Sequence, residues 1–333
     1  MKKSLFLMLS FCIILISSCT TTPPVEKQKI DFTKQISGTE KHKDSLQPQI
    51  KIYFPSFKVY GQNRIAYGDG ILIFLPDGKV MMIDSFDSEA SDQLVDFLDE
   101  FGIIRIDYFI ATHNHADHIG GVPALIQNFA IKNYYWNGAH FDSENDEEAT
   151  QALEADKIKP KVLKQGDTLI LCEEPLCKIE VLWPNLSVRD NYIAFYKPGR
   201  TAQFKNNTSI VLKLTYGDFT ALFTGDIYKN ADEVLTQTYG SELKSTILKV
   251  PHHGEFYTAN NPAFVEAVSP EVAIIQDTCY VSMPYSNYKI TKIYNKINSK
   301  LLFRNKAGYI LVTSNGSEYS VKEKTFKKHS KQN

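Results

Sequence analysis

Ten residues constrain this chain more than any other feature. Thr112-His113-Asn114-His115-Ala116-Asp117-His118-Ile119-Gly120-Gly121 places three imidazoles and a carboxylate within six residues, directly after the apolar run Ile106 to Ala111. Capping the helix that follows needs one polar side chain, not four, so the cluster reads as a metal site. Neutral imidazole and carboxylate suit Zn²⁺ and similar divalent ions. A loop between a strand and a helix lets side chains of opposite parity converge on one point beyond the sheet edge.

The surrounding sequence supplies strands and helices in alternation. Gln49 to Val59, Ile71 to Leu75 and Val80 to Ile83 read as a meander of strands, with Pro76-Asp77-Gly78 as the turn between the last two. Leu94, Val95, Leu98 and Phe101 have helical spacing, with Ser88 or Ser91 as N-cap. A helix is expected over Ile119 to Asn128, a strand over Lys132 to Trp136 and an acidic helix over Ser143 to Ala155. Further strands follow at Thr168 to Cys172, Cys177 to Trp183, Ser209 to Thr215, Thr220 to Phe223 and Ile247 to Val250. Helices are expected at Lys229 to Tyr239, Pro262 to Ala267 and Asn287 to Asn298. No Pro-, Gly- or Ser-rich seam divides this body, so the pattern predicts one layered α/β domain. At 333 residues, 43% hydrophobic and a net charge of −1, the chain has core enough for it and is not a disordered chain. Near-neutral charge argues against holding nucleic acid mainly by counterion release. Five Cys make no disulfide framework.

The N-terminus has another purpose. Lys2 and Lys3, the apolar run Leu5 to Ile16 and then Ser17-Ser18-Cys19 read as a signal peptide over 1–18, too short to span a bilayer. Its end is similar to a bacterial lipobox, which makes Cys19 the lipidated first residue. Residues 19–48 lack any period and read as a flexible tether, followed by a hydrolase domain over 49–321 and a basic tail over 322–333. The chain is thereby expected to be exported and lipid-anchored to a bacterial membrane. With Thr20 rather than an acidic residue after Cys19, the outer membrane is favoured.

Two more strand ends extend the metal chemistry. Leu222-Phe223-Thr224-Gly225-Asp226 brings a carboxylate to the edge, and Lys249-Val250-Pro251-His252-His253-Gly254 brings two imidazoles. With the first cluster they complete, in order, the pattern of the metallo-β-lactamase fold superfamily, which this chain resembles. Tyr67-Gly68-Asp69-Gly70-Ile71, Met82-Ile83-Asp84-Ser85 and Asn206-Asn207-Thr208-Ser209 narrow the likeness to the hydrolase domain of ComEC-type competence proteins, over about Gln49 to Asn315. Phe303 to Val312 with Gly308, followed by Ser314-Asn315-Gly316, is similar to that family's closing hairpin.

The resemblance implies a four-layer αββα sandwich with two divalent metal ions, Zn or Mn, at one edge. His113 and His115 would bind one ion, and Asp117 and His118 the other. Asp226 would bridge them, with one of His252 and His253 completing the second site; His252 is preferred because it follows the strand directly. Where the superfamily usually has a further His, this chain has Asn206-Asn207, so the amide oxygen of Asn207 or a water takes that place. Asp84 either fixes the tautomer of a ligand His or caps a helix.

Attack by a metal-bridging hydroxide, oriented by Asp117, is the expected chemistry. A phosphodiester in DNA or another nucleic acid is the preferred substrate, with Lys205, Lys249 and Arg200 as candidate phosphate contacts. A lactone, β-lactam or other ester is the alternative, and a non-catalytic surface-binding lipoprotein is a third reading; no protein partner is indicated. Cys172 and Cys177 flank a short loop between two strands, so they either form a disulfide or are ordinary strand residues.

Overall fold

Apolar residues in this chain bury on both faces of their strands, which requires a cover on each side of every sheet. The computed structural model describes residues 48–59, 64–141, 143–195, 202–276, 284–304 and 306–326. Cys19, the signal segment, the tether up to residue 47, Arg200 and Cys279 lie outside the described residues. In chain order the first half runs β1 (Ile50–Ser56), β2 (Ile71–Phe74), β3 (Val80–Ile83), α1 (Ser91–Glu100), β4 (Arg105–Ile106), β5 (Tyr108–Ile110), α2 (Ala116–Ile119), α3 (Val122–Asn128), β6 (Ala130–Ile131), β7 (Tyr134–Trp136), α4 (Glu144–Ala155) and β8 (Lys161–Val162). The second half runs β9 (Thr168–Cys172), β10 (Cys177–Trp183), α5 (Leu186–Phe195), α6 (Ala202–Asn207), β11 (Val211–Tyr216), β12 (Phe219–Phe223), α7 (Lys229–Tyr239), β13 (Ile247–Lys249), α8 (Pro262–Val268), β14 (Val272–Ile275), α9 (Pro284–Lys296), β15 (Lys300–Phe303), β16 (Gly308–Ser314) and β17 (Tyr319–Thr325).

Two large sheets result. One has eight strands in the order β17-β16-β1-β2-β3-β5-β7-β8, the other seven in the order β15-β14-β13-β12-β11-β10-β9. Because successive side chains on a strand point to opposite faces, neighbouring residues divide between layers. Ile71, Met81, Phe223 and Ile247 meet between the sheets. Leu72 and Met82 instead pack outward against Leu94, Phe97 and Leu98 of α1 and Leu125 of α3. Leu222 and Leu248 pack outward against Leu235, Phe264 and Tyr294 of α7, α8 and α9. Three apolar layers separate four structural ones, so the architecture is an αββα sandwich. Each fully buried Leu, Ile or Phe in them contributes roughly 1.5–3 kcal/mol.

Several local expectations change. The first helix opens with a 3₁₀ turn, Ser88–Ala90, capped by Asp87, whose side chain accepts from Glu89 N at 3.1 Å, not by either serine. Phe303 to Val312 divides between the sheets: β15 pairs in parallel with β14 in the second, while β16 crosses to the first, pairs with β1 and forms the closing hairpin with β17 through Asn315-Gly316. That strand pairing continues past residue 321, with Lys322 opposite Leu311 and Thr325 opposite Gly308, so the domain includes residues assigned to the tail. Cys172 and Cys177 face each other across the β9–β10 hairpin as buried free thiols, which burial pushes up to about 11 and about 12. Among the described residues no helix is long and apolar enough to cross a membrane.

Candidate metal centre

Parallel pairing puts the chemistry at one edge. β3 pairs in parallel with β5, and β12 with β13, so the C-terminal ends of each pair point the same way. Asp84 follows β3, Thr112 to His118 follow β5, Asp226 follows β12 and His253 follows β13. The close approach has a steric condition. A Cβ on Gly68 would lie 1.6 Å from the backbone oxygen of Asp117, and one on Gly225, which has φ +51, would lie 2.8 Å from Ser209 Cβ. Glycine at both positions lets the loops meet.

Four side chains converge. One ligand atom from each of Asp117, His118, Asp226 and His253 lies within 4.8 Å of the others. His118 Nε2 is 3.1 Å from Asp226 Oδ2 and 3.8 Å from Asp117 Oδ2, and His253 Nε2 is 3.1 Å and 3.4 Å from the same two oxygens. Tetrahedral Zn²⁺ with bonds of about 2.0–2.1 Å needs donors about 3.3 Å apart, so the set fits a divalent cation. Buried His253 Nε2 faces these two carboxylates, which are among the groups that raise its affinity for a proton. On the other side of His118, His113 Nε2 lies 3.0 Å from His115 Nδ1.

Each converging imidazole is held from behind. His118 Nδ1 donates to Asp84 Oδ2 at 2.8 Å, leaving Nε2 to face the cluster. The other Asp84 contacts are Thr112 N and Thr112 Oγ1, both at 2.7 Å. His253 Nδ1 donates to the backbone oxygen of Gln276 at 3.1 Å, and the Gln276 amide is tied to Pro55 O and Gly70 O. Such outer partners set the tautomer and ring plane of a ligand.

The electrostatics describe a site short of positive charge. Burial opposes ionisation of Asp226, but His253, His118 and Lys249 outweigh it and hold the carboxyl well below its usual range. Burial also opposes charge on His118 and His253, and the surrounding carboxylates, Asp226 foremost, raise both well above the ordinary imidazole range. His113 is held well below the ordinary imidazole range, because burial and the neighbouring His118 and His115 outweigh Asp226 and Asp117. The field that retains protons on two imidazoles is the one a divalent cation would satisfy.

Several sequence expectations move by one residue. His252, the preferred ligand, turns away: its Nδ1 lies 3.1 Å from Thr258 Oγ1 and its ring packs on Tyr228, with centroids 4.9 Å apart. Its neighbour His253 takes the place beside Asp226. The side chain of Asn207 is committed to the fold, its Oδ1 accepting from Tyr228 N at 3.0 Å. Of the two asparagines it is Asn206 whose buried amide oxygen has no hydrogen-bond partner among the described residues. Lys205 and Lys249 are 5% and 1% exposed, so neither is a surface phosphate contact. Lys205 Nζ donates to Ser143 Oγ at 3.0 Å.

Lys249 is instead a component of the centre that sequence reasoning missed. Its Nζ pairs with Asp69, lies 3.4 Å from Asp226 Oδ1 and donates to Gly225 O at 3.1 Å. It thus occupies the Asp226 oxygen that faces away from the imidazoles. Asp69, 1% exposed, is the other omission. The signal for the pair was present: a lysine closing an apolar strand and an aspartate between two glycines both need a reason to be buried.

The model of the family described as the metallo-beta-lactamase superfamily matches residues 67–263. ComE operon protein 3 of Bacillus subtilis (strain 168) is 25% identical over 217 residues, covering 65% of this chain and 26% of that protein. Competence protein ComA of Neisseria gonorrhoeae is 25% identical over 190 residues, covering 56% and 22%. The chain thus spans about a quarter of the length of the curated relatives it matches. Among solved structures, Zn(2+)-bound PqqB from Methylobacterium extorquens aligns over 78% of this chain and 99% of its own, at 10% identity and a TM-score of 0.48.

Proposed function

The chain belongs to the metallo-beta-lactamase superfamily, and from that membership we propose that it is a metal-dependent phosphodiesterase acting on DNA or another nucleic acid outside the cytoplasm. The observation that carries the proposal is the donor set of Asp117, His118, Asp226 and His253 at the shared edge, with buried His253 Nε2 aimed into it. His113 and His115 are the residues that would hold a second ion. Bound divalent ions would supply Lewis acidity and lower the pKa of a coordinated water toward about 7.

The chain's own residues prepare that chemistry. Asp84 and the Gln276 carbonyl fix the two imidazoles whose Nε2 atoms face the cluster. Lys249 holds Asp226 by Oδ1, which commits Oδ2 to the ligand side. The Asp117 side chain is 29% exposed against 3% for Asp226, so Asp117 is the carboxylate able to orient a water or pass a proton to solvent. A phosphodiester gains from such a centre at both of its charged oxygens, more than a neutral carbonyl substrate does. One relative is named a competence protein, and with the resemblance to the ComEC-type hydrolase domain this supports the reading of DNA as the substrate and the cell envelope as the location. The lipobox-like sequence ending at Cys19 supports the reading of an anchor there.

The test is direct. The mature chain, loaded with Mn²⁺, Zn²⁺ or Mg²⁺, is assayed against DNA, RNA, bis-p-nitrophenyl phosphate, a lactone and a chromogenic β-lactam. Cleavage of the phosphodiesters is expected. Cleavage confined to the carbonyl substrates would overturn the substrate class, and inactivity on all with substoichiometric metal would overturn the enzyme.

A further inference from the structure

Beside the metal centre the surface carries aromatic rings that have no reason to be exposed. Tyr257, Tyr285 and Tyr288 are 59%, 53% and 61% exposed. Single exposed apolar groups are normal, but a cluster marks a binding surface. These rings are ordered among themselves: Tyr257 and Tyr285 stack with centroids 6.1 Å apart and planes 20° from parallel, and Phe256 meets Tyr257 edge-on at 5.5 Å. Lysines interleave with them. Lys229 Nζ lies 5.1 Å from the Phe256 centroid, and Lys289 Nζ lies 5.1 Å from that of Tyr285 and 5.9 Å from that of Phe256.

Periodicity shows that this is a face and not an accident of one loop. On α9, Tyr285, Tyr288, Lys289 and Lys292 recur at i, i+3, i+4 and i+7, the spacing of one helical stripe. The opposite stripe, Ser286, Ile290 and Tyr294, is the buried one. The helix sequence PYSNYKITKIYNK contains no acidic residue. The platform is also anchored to the centre itself. Lys229 follows Asp226 by three residues and Tyr257 follows His253 by four, at most about 14 Å of chain in either case. Lys229 Nζ further donates to Tyr257 O at 2.8 Å, tying the two ligand loops together.

We propose that Tyr257, Tyr285 and Tyr288, with Lys229, Lys289 and Lys292, form a base-stacking platform that holds a single-stranded nucleic acid beside the metal centre. The inference rests on the phosphodiesterase reading for its substrate and adds which form of nucleic acid is taken. Stacked rings accept any base through its π-face, and the interleaved ammonium groups follow the backbone charge. A duplex hides those base faces, so the platform selects unpaired strands. An anionic membrane could engage the same chemistry, but a bilayer on this face would cover the mouth of the centre.

Binding is measured without turnover. The full chain in EDTA is titrated into fluorescein-labelled oligo(dT), an abasic strand of equal length and a duplex, with anisotropy as readout. Wild type should prefer oligo(dT) to both others. Tyr257→Ala and Tyr285→Ala should each weaken oligo(dT) binding by roughly tenfold, Tyr285→Phe should keep it, and Lys289→Gln should flatten its salt dependence. Hydrolysis of bis-p-nitrophenyl phosphate, too small to reach the platform, should be unchanged in the tyrosine variants. Equal affinity for the abasic strand, or unchanged binding by both alanine variants, would overturn the platform, as would a preference for anionic vesicles. Loss of bis-p-nitrophenyl phosphate turnover in the wild type would instead count against the phosphodiesterase reading, so the two failures are separable.

Discussion

The loop after β5 and the loop after β13 each bring imidazoles to the metal centre, one from each sheet, and they do it by different means. In the first, His115 is extended (φ −80, ψ 150) and α2 begins at Ala116, so Asp117 and His118 enter through the opening turn of a helix. Ordinary backbone conformations suffice, and the spacing of the sequence shows which side chains converge. In the second, His252 (φ 46, ψ 52) and His253 (φ 51, ψ 24) are both left-handed. Such a conformation costs roughly 1–2 kcal/mol for a residue with a Cβ, and two in succession occur only where surrounding contacts over-determine them. Those contacts are present: Asn260 Nδ2 donates to Pro251 O and Glu255 O, and Tyr294 Oη donates to Asn260 Oδ1. The lesson is that spacing assigns ligands where the backbone is relaxed, and the fold assigns them where it is strained.

The sharpest way to break this contrast is to exchange the two neighbours' roles. His253→Ala should lower bound divalent metal from two ions per chain to one or fewer and phosphodiesterase kcat/KM by at least about 100-fold, more than loss of an outer partner costs; two ions per chain retained, by elemental analysis, would put the ligand elsewhere. Lys249→Met leaves Asp69 and Asp226 without their buried cation, and should cost about 3–5 kcal/mol in denaturant unfolding, partly restored by added divalent metal.

On the relaxed loop, Asp84→Asn should weaken metal binding by about 10–100-fold in competition with a chelator, because the His118 tautomer is no longer enforced. The brace behind the strained loop has a pH signature of its own. Asp232, pushed up to about 8 by burial, accepts from Asn261 N at 3.0 Å and lies outside the metal-facing cluster. Its folded form keeps a proton that the unfolded chain releases near pH 4, so Asp232 makes a contribution to stability that falls as pH rises from about 4 to about 8 and levels off above. Asp232→Asn should remove that slope, worth about 2–4 kcal/mol between pH 5 and 8, as read from melting curves across that range. The smallest effect belongs to His252→Ala, which should leave metal content intact and change activity by less than about tenfold.

Much of the centre was legible because it depends on strand ends. Thr112 to His118 and Gly225-Asp226 each follow an apolar run, and parallel pairing obliges such ends to meet at one edge. What spacing could not convey was rotation and depth. Adjacent His252 and His253 are equivalent as letters, yet His253 Nε2 lies beside Asp226 while His252 Nδ1 meets Thr258, and of Asn206 and Asn207 it is Asn207 that holds Tyr228 N. Lys249 reads as a surface cation until Asp69, 180 positions earlier, is seen to neutralise it inside. The tyrosines of α9 likewise carry a helical period that sequence alone would assign to a core.

By itself, then, the sequence determined the layered α/β class, the order of the strand-end clusters and the identity of His113, His115, Asp117, His118 and Asp226 as the residues to bring together. The class and the first cluster follow from side-chain periodicity and local composition, which act over a few residues; the order of the clusters and the place of Asp226 are implied by the resemblance to the superfamily. The tertiary structure alone decided that His253 and not His252 joins Asp226, that Lys249 is buried against Asp69, and that an aromatic face with interleaved lysines borders the centre. Those outcomes depend on backbone dihedrals and on contacts between residues far apart in the chain, where no local pattern carries the information.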